Sequence, residues 1–173
     1  MVDTDPDQII VVDYDPGWQD AYEMERRLLA KAFGDRAKAI EHIGSTAVPC
    51  LCAKPVIDIM VCVLDVDEVR DRHQELSGLG YVYVPFDDDG DRLFFRKGMP
   101  RAHHLHVVLA GGKEWERHIQ FRNLLRGDDG LRERYSQLKR ESAARHRNDR
   151  NVYLESKRAL IDEALQRSKA DTK

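Results

Sequence analysis

The chain has 173 residues, of which 42% are hydrophobic, a size and composition that suit one globular domain with a real core. Its formal charge of −3 gives no global basic field, so nucleic acid is not an expected partner and any anion site must be local. No apolar run approaches membrane-spanning length and the N-terminus is acidic where a signal peptide would be basic, so a cytoplasmic protein with no membrane partner is expected.

In chain order, residues 1–8 are polar and read as a frayed tail. "IIVVDYD" is a short β-like run stopped by Asp15-Pro16-Gly17. From Trp18 to Phe33, Ala21, Met24, Leu28, Leu29 and Ala32 recur at helical spacing, which predicts a first amphipathic helix. "AIEHIGST" is a short element leading into a Gly-Ser turn. "PVIDIMVCVL" is β-branched and almost continuously apolar, the pattern of a central strand covered on both faces.

Asp67 to Leu79 predicts a second helix with Gly80 at its C-cap. "YVYV", the acidic turn "DDDGD", "RLFFRK", a "GMPRA" turn and "HLHVVL" predict three short strands in an antiparallel meander. Beyond "AGGK" the chain is helical: Glu114 to Arg126, a "GDDG" break, Leu131 to about Arg147, Val152 to Arg167, then a tail over 168–173. Together these give one α+β domain over residues 1–173: a mixed or antiparallel sheet of about five strands, N-terminal helices on one face and a C-terminal helical bundle.

In a strand, residues two apart share a face. Asp58 therefore shares one with Val56, Met60 and Cys62. Arg92, Phe94 and Arg96 share another, as do His104, His106 and Val108. If these strands adjoin, one sheet face gathers Asp58, Arg92, Arg96, His104 and His106, a set expensive to bury without a ligand, a metal or mutual pairing. Two histidines and a carboxylate suit zinc or manganese, and His42 beside the turn is a further candidate ligand. His73, His118 and His146 fall in helices and read as surface or packing residues, and His103 alternates away from the pair. The backbone N–H groups of the Gly44-Ser45-Thr46 turn form an anion cradle, to which Lys54 adds a point charge.

Cys50, Cys52 and Cys62 are an odd count, which favours reduced thiols: Cys50 and Cys52 read as small, half-buried hydrophobes and Cys62, in an apolar run, as core. Trp18, Trp115, Phe121, Leu124 and Leu138 read as packing residues; Tyr135 and Tyr153 read as core, with lining a pocket the other option. The charged helix "RERYSQLKRESAARHRNDR" mixes both signs and reads as a solvated face.

"YDPGW", "IEHIGSTAVP", "AKPVIDIMV", "RLFFRKG", "HHLHVV" and "FRNLLR" resemble the GrpB family, in its order, from about Tyr14 to Ile161. That family resembles the nucleotidyltransferase superfamily of the DNA polymerase beta type, in which a helix ends in a Gly-Ser turn before a strand with two alternating metal-binding acids. The resemblance implies that Gly44, Ser45 and Thr46 bind phosphate with Lys54, Arg92 and Arg96. It makes Asp58 the first metal-binding acid and puts His104 and His106 where a third acid should lie. The second acid falls at Met60. Magnesium prefers oxygen ligands, so a divalent metal, whether Mg, Mn or Zn, would meet an incomplete triad. Cys50 and Cys52 stand where the family more often has glycine and alanine.

Two functions are therefore expected. One is a divergent nucleotidyltransferase-like enzyme binding a nucleotide or other phosphorylated small molecule. The other is a non-catalytic module retaining that fold. Domains of this family occur fused to dephospho-coenzyme A kinase, which links the second to coenzyme A metabolism.

Overall fold

A computed structural model describes residues 9–71, 74–85, 90–146 and 149–170. His73, most of the acidic "DDDGD" turn and the tails at 1–8 and 171–173 lie outside them. Helix α1 (Gly17–Phe33) begins where the Asp15 carboxylate accepts from the Gly17 N–H at 2.8 Å and ends at Gly34, φ 54°, whose N–H returns to the Ala30 carbonyl. Five strands follow: β1 (Ala37–Ile43), β2 (Ile57–Val63), β3 (Tyr81–Tyr83), β4 (Arg92–Lys97) and β5 (His103–Leu109). The helix expected from Asp67 to Leu79 is described as α2 (Val66–Asp71) and α3 (Gln74–Ser77), on either side of residues 72–73, which lie outside the described residues. The last three helices are α4 (Lys113–Gly127), α5 (Asp129–Arg145) and α6 (Arg150–Ala170).

The sheet order is β1-β2-β5-β4-β3. β2 runs antiparallel to β1 and parallel to β5, while β5, β4 and β3 form the expected antiparallel meander. Its central place explains why β2 is apolar on both faces. Ile57, Ile59, Val61 and Val63 pack with Leu93, Phe95, Leu105 and Val107 against Trp18, Tyr22, Leu29 and Phe33 of α1, with α2 and α3 on the same side. The opposite face carries Met60, Val108 and Ile43, covered by Trp115 and Ile119 of α4. The C-terminal helices thus form a small bundle over this face, held by Leu125, Leu131, Tyr135 and Ala164 around Val48 and Leu51.

Three sequence expectations are corrected. The "IIVVDYD" run makes one isolated bridge, Val12 with Ala53, because it meets a loop and not a sheet edge. The Gly-Ser turn is entered from strand β1, not from a helix. Ser168 to Ala170 belong to α6, where Ser168 accepts a hydrogen bond from the Gln120 amide at 3.1 Å, so the helix runs through the first half of the expected tail. The "GDDG" break is built as a cap: Asp128 ends α4, and its side chain accepts the Leu131 N–H at 2.9 Å to start α5.

Candidate functional site

Strand register assembles the site. Asp58 sits opposite Ile43 on one side and His104 on the other, and His104 is in turn opposite Arg96. One row along, Met60 lies between Glu41 and His106, and His106 faces Phe94. The face expected from alternation is therefore the face formed. At its end the chain reverses through Gly44, φ 69°, into a single 3-10 turn, Ser45–Ala47. A Cβ on Gly44 would stand 2.5 Å from Asp58 Oδ2. Glycine is needed there twice over, for the left-handed backbone and for the contact with the acid.

The centre is a pair. His104 Nδ1 lies 3.0 Å from Asp58 Oδ1, and His104 Nε2 is buried with no hydrogen-bond partner among the described residues. With the carboxylate as acceptor, Nδ1 is the donor of this hydrogen bond, which leaves Nε2 as the second ring nitrogen. Burial pushes the Asp58 carboxyl up, but the His104 hydrogen bond, with the His104, His106 and His118 rings nearby, outweighs it and holds Asp58 below its ordinary value. Burial, with His118 adding to it, drives His106 down to about 3, so it is neutral at neutral pH. Its Nδ1 is also without a partner among the described residues, and its ring stands 4.9 Å from Phe94 and 5.7 Å from His118.

A cavity of about 390 Å³ opens over this pair, between the sheet and the C-terminal bundle. Among its lining residues Asp58 is the carboxylate, set against Arg92, Arg122 and Lys157. A second, of about 170 Å³, shares Ser45, Asp58, His104 and Lys157 with the first and adds Lys54, Lys139 and Tyr153. Each arginine is anchored: Arg92 donates to Glu114 at 2.8 Å, and Arg122 to Glu41 at 2.6 Å and the His42 carbonyl at 2.8 Å. Glu114 also meets His118 at 3.6 Å; that neighbour, helped by Arg92, holds its carboxyl down at about 2.

Sequence reasoning missed what the bundle contributes. His118 is not a surface or packing residue: it lines the larger cavity, as do Arg122, Tyr135 and Lys157. Tyr135 does so from a buried position, and Tyr153 lines the smaller cavity. Phe121, expected to pack, both packs edge-on to Tyr135 at 5.2 Å and lines the cavity. Lys139, 2% exposed, donates to the Cys52 carbonyl, and burial lowers its ammonium to about 7. The signals were faint. Glu114 and His118 are an i,i+4 pair, and Lys139 was hidden in a run of charges that mostly is a solvated face.

Other expected residues stand elsewhere. His42 is not a companion of Asp58, because alternation along β1 turns it to the opposite face, stacked on Tyr22 at 4.6 Å with Nε2 3.0 Å from the Thr46 hydroxyl. Thr46 does line the smaller cavity, with its hydroxyl engaged by that contact and by the Val56 carbonyl at 3.4 Å. Arg96 shares the face but lines neither cavity; its guanidinium lies 5.5 Å from the Phe94 ring centre. His103 does point away, 4.0 Å from Glu25. Cys62 is buried as expected, and Cys52 is buried with Sγ 3.1 Å from the Ser136 hydroxyl. Cys50 is not half-buried: it is exposed, in the left-handed region at φ 63°.

The donors do not fit a metal triad. Met60 is fully buried against Ile43 and Val108 where a second acid would be needed, and His104 Nδ1 occupies Asp58 Oδ1. Among the described residues no three His, Cys, Asp or Glu side chains are grouped to hold one ion. Nor, among them, is any helix long and apolar enough to cross a membrane.

These features define an α+β protein whose mixed sheet carries an acid–histidine pair beneath a helix-covered cavity. The model for the family described as GrpB protein matches residues 8–167, and the chain belongs to that family. A crystal structure of GrpB from Enterococcus faecalis superposes with a TM-score of 0.84 at 33% identity, covering 92% of this chain and 99% of that one. The UPF0157 protein YqkA of Bacillus subtilis is 31% identical over 163 residues, which are 94% of this chain and 48% of YqkA. The dephospho-CoA kinase of Mycobacterium tuberculosis is 27% identical over 184 residues, 91% of this chain and 45% of the kinase. This chain thus spans about half the length of both of those relatives.

Proposed function

We propose that this GrpB protein is a divergent nucleotidyltransferase-like enzyme that binds a nucleotide or another phosphorylated small molecule over Asp58 and His104. The observation that carries the reading is the pair itself: a carboxylate orients an imidazole that lines a cavity with a cationic lining and whose second nitrogen is buried without a hydrogen-bond partner among the described residues. A carboxylate on Nδ1 fixes the tautomer and stabilises the imidazolium that forms when Nε2 takes a proton. Arg92, Arg122 and Lys157 supply positive charge for a phosphorylated ligand, and the Gly44-Ser45 turn adds backbone and hydroxyl donors beside the acid. No step is routed through a metal, since the donor set does not fit one. The three thiols are all unpaired, which supports the cytoplasmic setting.

The test is a thermal-shift screen of nucleotides, coenzyme A fragments and sugar phosphates, followed by phosphorus NMR of each hit with the protein. A hit whose turnover falls about a hundredfold or more in His104→Gln while its affinity holds would support general acid–base catalysis. Turnover unchanged in that variant, or no stabilisation by any phosphorylated compound, would sink the reading.

One observation favours a second reading, a non-catalytic module. Met60 removes the acid on which the superfamily's chemistry depends, and the likeness to part of a dephospho-CoA kinase chain suits an accessory role near coenzyme A metabolism. Tight binding of a phosphorylated ligand with no turnover would favour it.

A further inference from the structure

The two cavities that meet at Asp58 and His104 differ in chemistry. The larger is walled by Phe94, Phe121, Tyr135, Leu125 and Ile161, an apolar and aromatic set beside its charged lining residues. The smaller gathers Lys54, Lys139 and Lys157 around Ser45, with Asp58 as the carboxylate among its lining residues. Lys139 is the telling one. Its side chain is 2% exposed, and its recorded contacts are one backbone carbonyl, that of Cys52, and the face of Tyr135 at 4.9 Å. An ammonium has three N–H donors, and among the described residues no carboxylate pairs with this one. Burying an ammonium without a counter-charge is among the costlier things a fold can do. A methionine would fill the same space without that penalty. What the lysine offers in return is a buried amine in the wall of a small cavity, beside two further lysines, which a bound anion would hold in its charged form. That is the environment in which an anion is bound most strongly, because the interaction is not diluted by water.

We propose that the lysine-lined cavity is an anion subsite. The ligand is then bipartite, with a phosphate or diphosphate group on Lys139 and Lys157 and an apolar or aromatic body in the larger cavity. The linkage between the halves lies against His104 Nε2, where both cavities meet. The inference rests on the reading that the site takes a phosphorylated molecule and says which part of it goes where.

Inorganic pyrophosphate is the probe, titrated by calorimetry into the full chain and into Lys139→Met, Lys157→Gln and, as a control, Lys31→Gln, an exposed lysine on α1 that lines neither cavity. Pyrophosphate should bind the parent protein and lose about tenfold or more in affinity in Lys139→Met. Lys157→Gln should weaken it in the same direction and Lys31→Gln should leave it. If Lys139→Met does not fold, the Lys157→Gln titration decides. No pyrophosphate binding, or equal binding to parent and lysine variants, overturns the subsite. A phosphorylated compound that binds Lys139→Met undiminished yet loses turnover in His104→Gln would also remove the subsite while leaving the proposed enzyme. Lys139-dependent pyrophosphate binding with no turnover of any phosphorylated compound would keep the subsite and remove the enzyme.

Discussion

Replacing Gly44 with alanine probes the join between turn and acid. The residue sits at φ 69°, where an L side chain costs about 1–2 kcal/mol. The new methyl would also stand 2.5 Å from Asp58 Oδ2 and 3.1 Å from its Cβ and Cγ. The carboxylate must rotate away, and doing so gives up the 3.0 Å contact with His104, a charge-assisted bond of about 1.5–3 kcal/mol. Alanine recovers about 0.4–1 kcal/mol by stiffening the unfolded chain. The net expectation is a loss of about 2–4 kcal/mol in urea unfolding at pH 7, with shifted His104 ring resonances by NMR. The control is the same change in an Asp58→Ala background, where the carboxylate clash is gone, the 3.1 Å contact with the residue-58 Cβ stays, and about 1 kcal/mol of backbone strain remains. Equal losses in the two backgrounds would refute the reasoning, since the glycine would then serve the backbone alone.

Further outcomes follow from the same geometry. Cys50→Gly removes a left-handed side chain from an exposed position; it should raise stability by about 0.5–1 kcal/mol in chemical denaturation, and a loss would mean that the thiol makes a contact of its own. Met60→Asp, which restores the sequence pattern of two alternating acids, forfeits about 1.5–3 kcal/mol of methionine burial and leaves a charge in an apolar row; urea unfolding should show a loss larger than that burial figure, and a neutral change would show the row to be hydrated. Burial lowers His42 to about 4. With its native value below the unfolded 6.5, the unfolded chain binds more protons between those values, so stability falls as pH drops from about 6.5 to 4, by roughly 3 kcal/mol. His42→Gln should flatten that limb in pH-dependent unfolding, and an unchanged limb would assign it to other groups. Arg122→Met leaves the Glu41 carboxylate without its 2.6 Å partner and the His42 carbonyl without its donor; a loss of about 1–3 kcal/mol is expected in thermal unfolding, and no loss would make the arginine a ligand contact alone.

Strand alternation carried much of this protein in the sequence. The period of two put Asp58, His104, His106 and the β4 arginines on one face, and the unbroken apolar run of β2 announced a strand covered on both sides. The strands, the α1 helix and the Gly-Ser turn were legible because each depends on residues near in the chain. Resemblance put Gly44 at a phosphate-binding turn, but could not say that its missing Cβ leaves room for one particular oxygen of Asp58.

What only the tertiary structure decided lies in the bundle and in the choice of partners. Whether His104 pairs with Asp58 through Nδ1 depends on the parallel register of β2 and β5, which no local pattern specifies. His42 looked like a neighbour of the acid by sequence distance, yet one step of alternation sent it through the sheet to Tyr22. His118, Arg122, Tyr135, Lys139 and Lys157 lie on helices whose charges repeat on every side, so the sequence offers no apolar stripe to tell the inward face. That face is chosen by how three helices dock on the sheet. Local periodicity determines which residues share a surface, and only the packing of distant segments determines which surfaces meet.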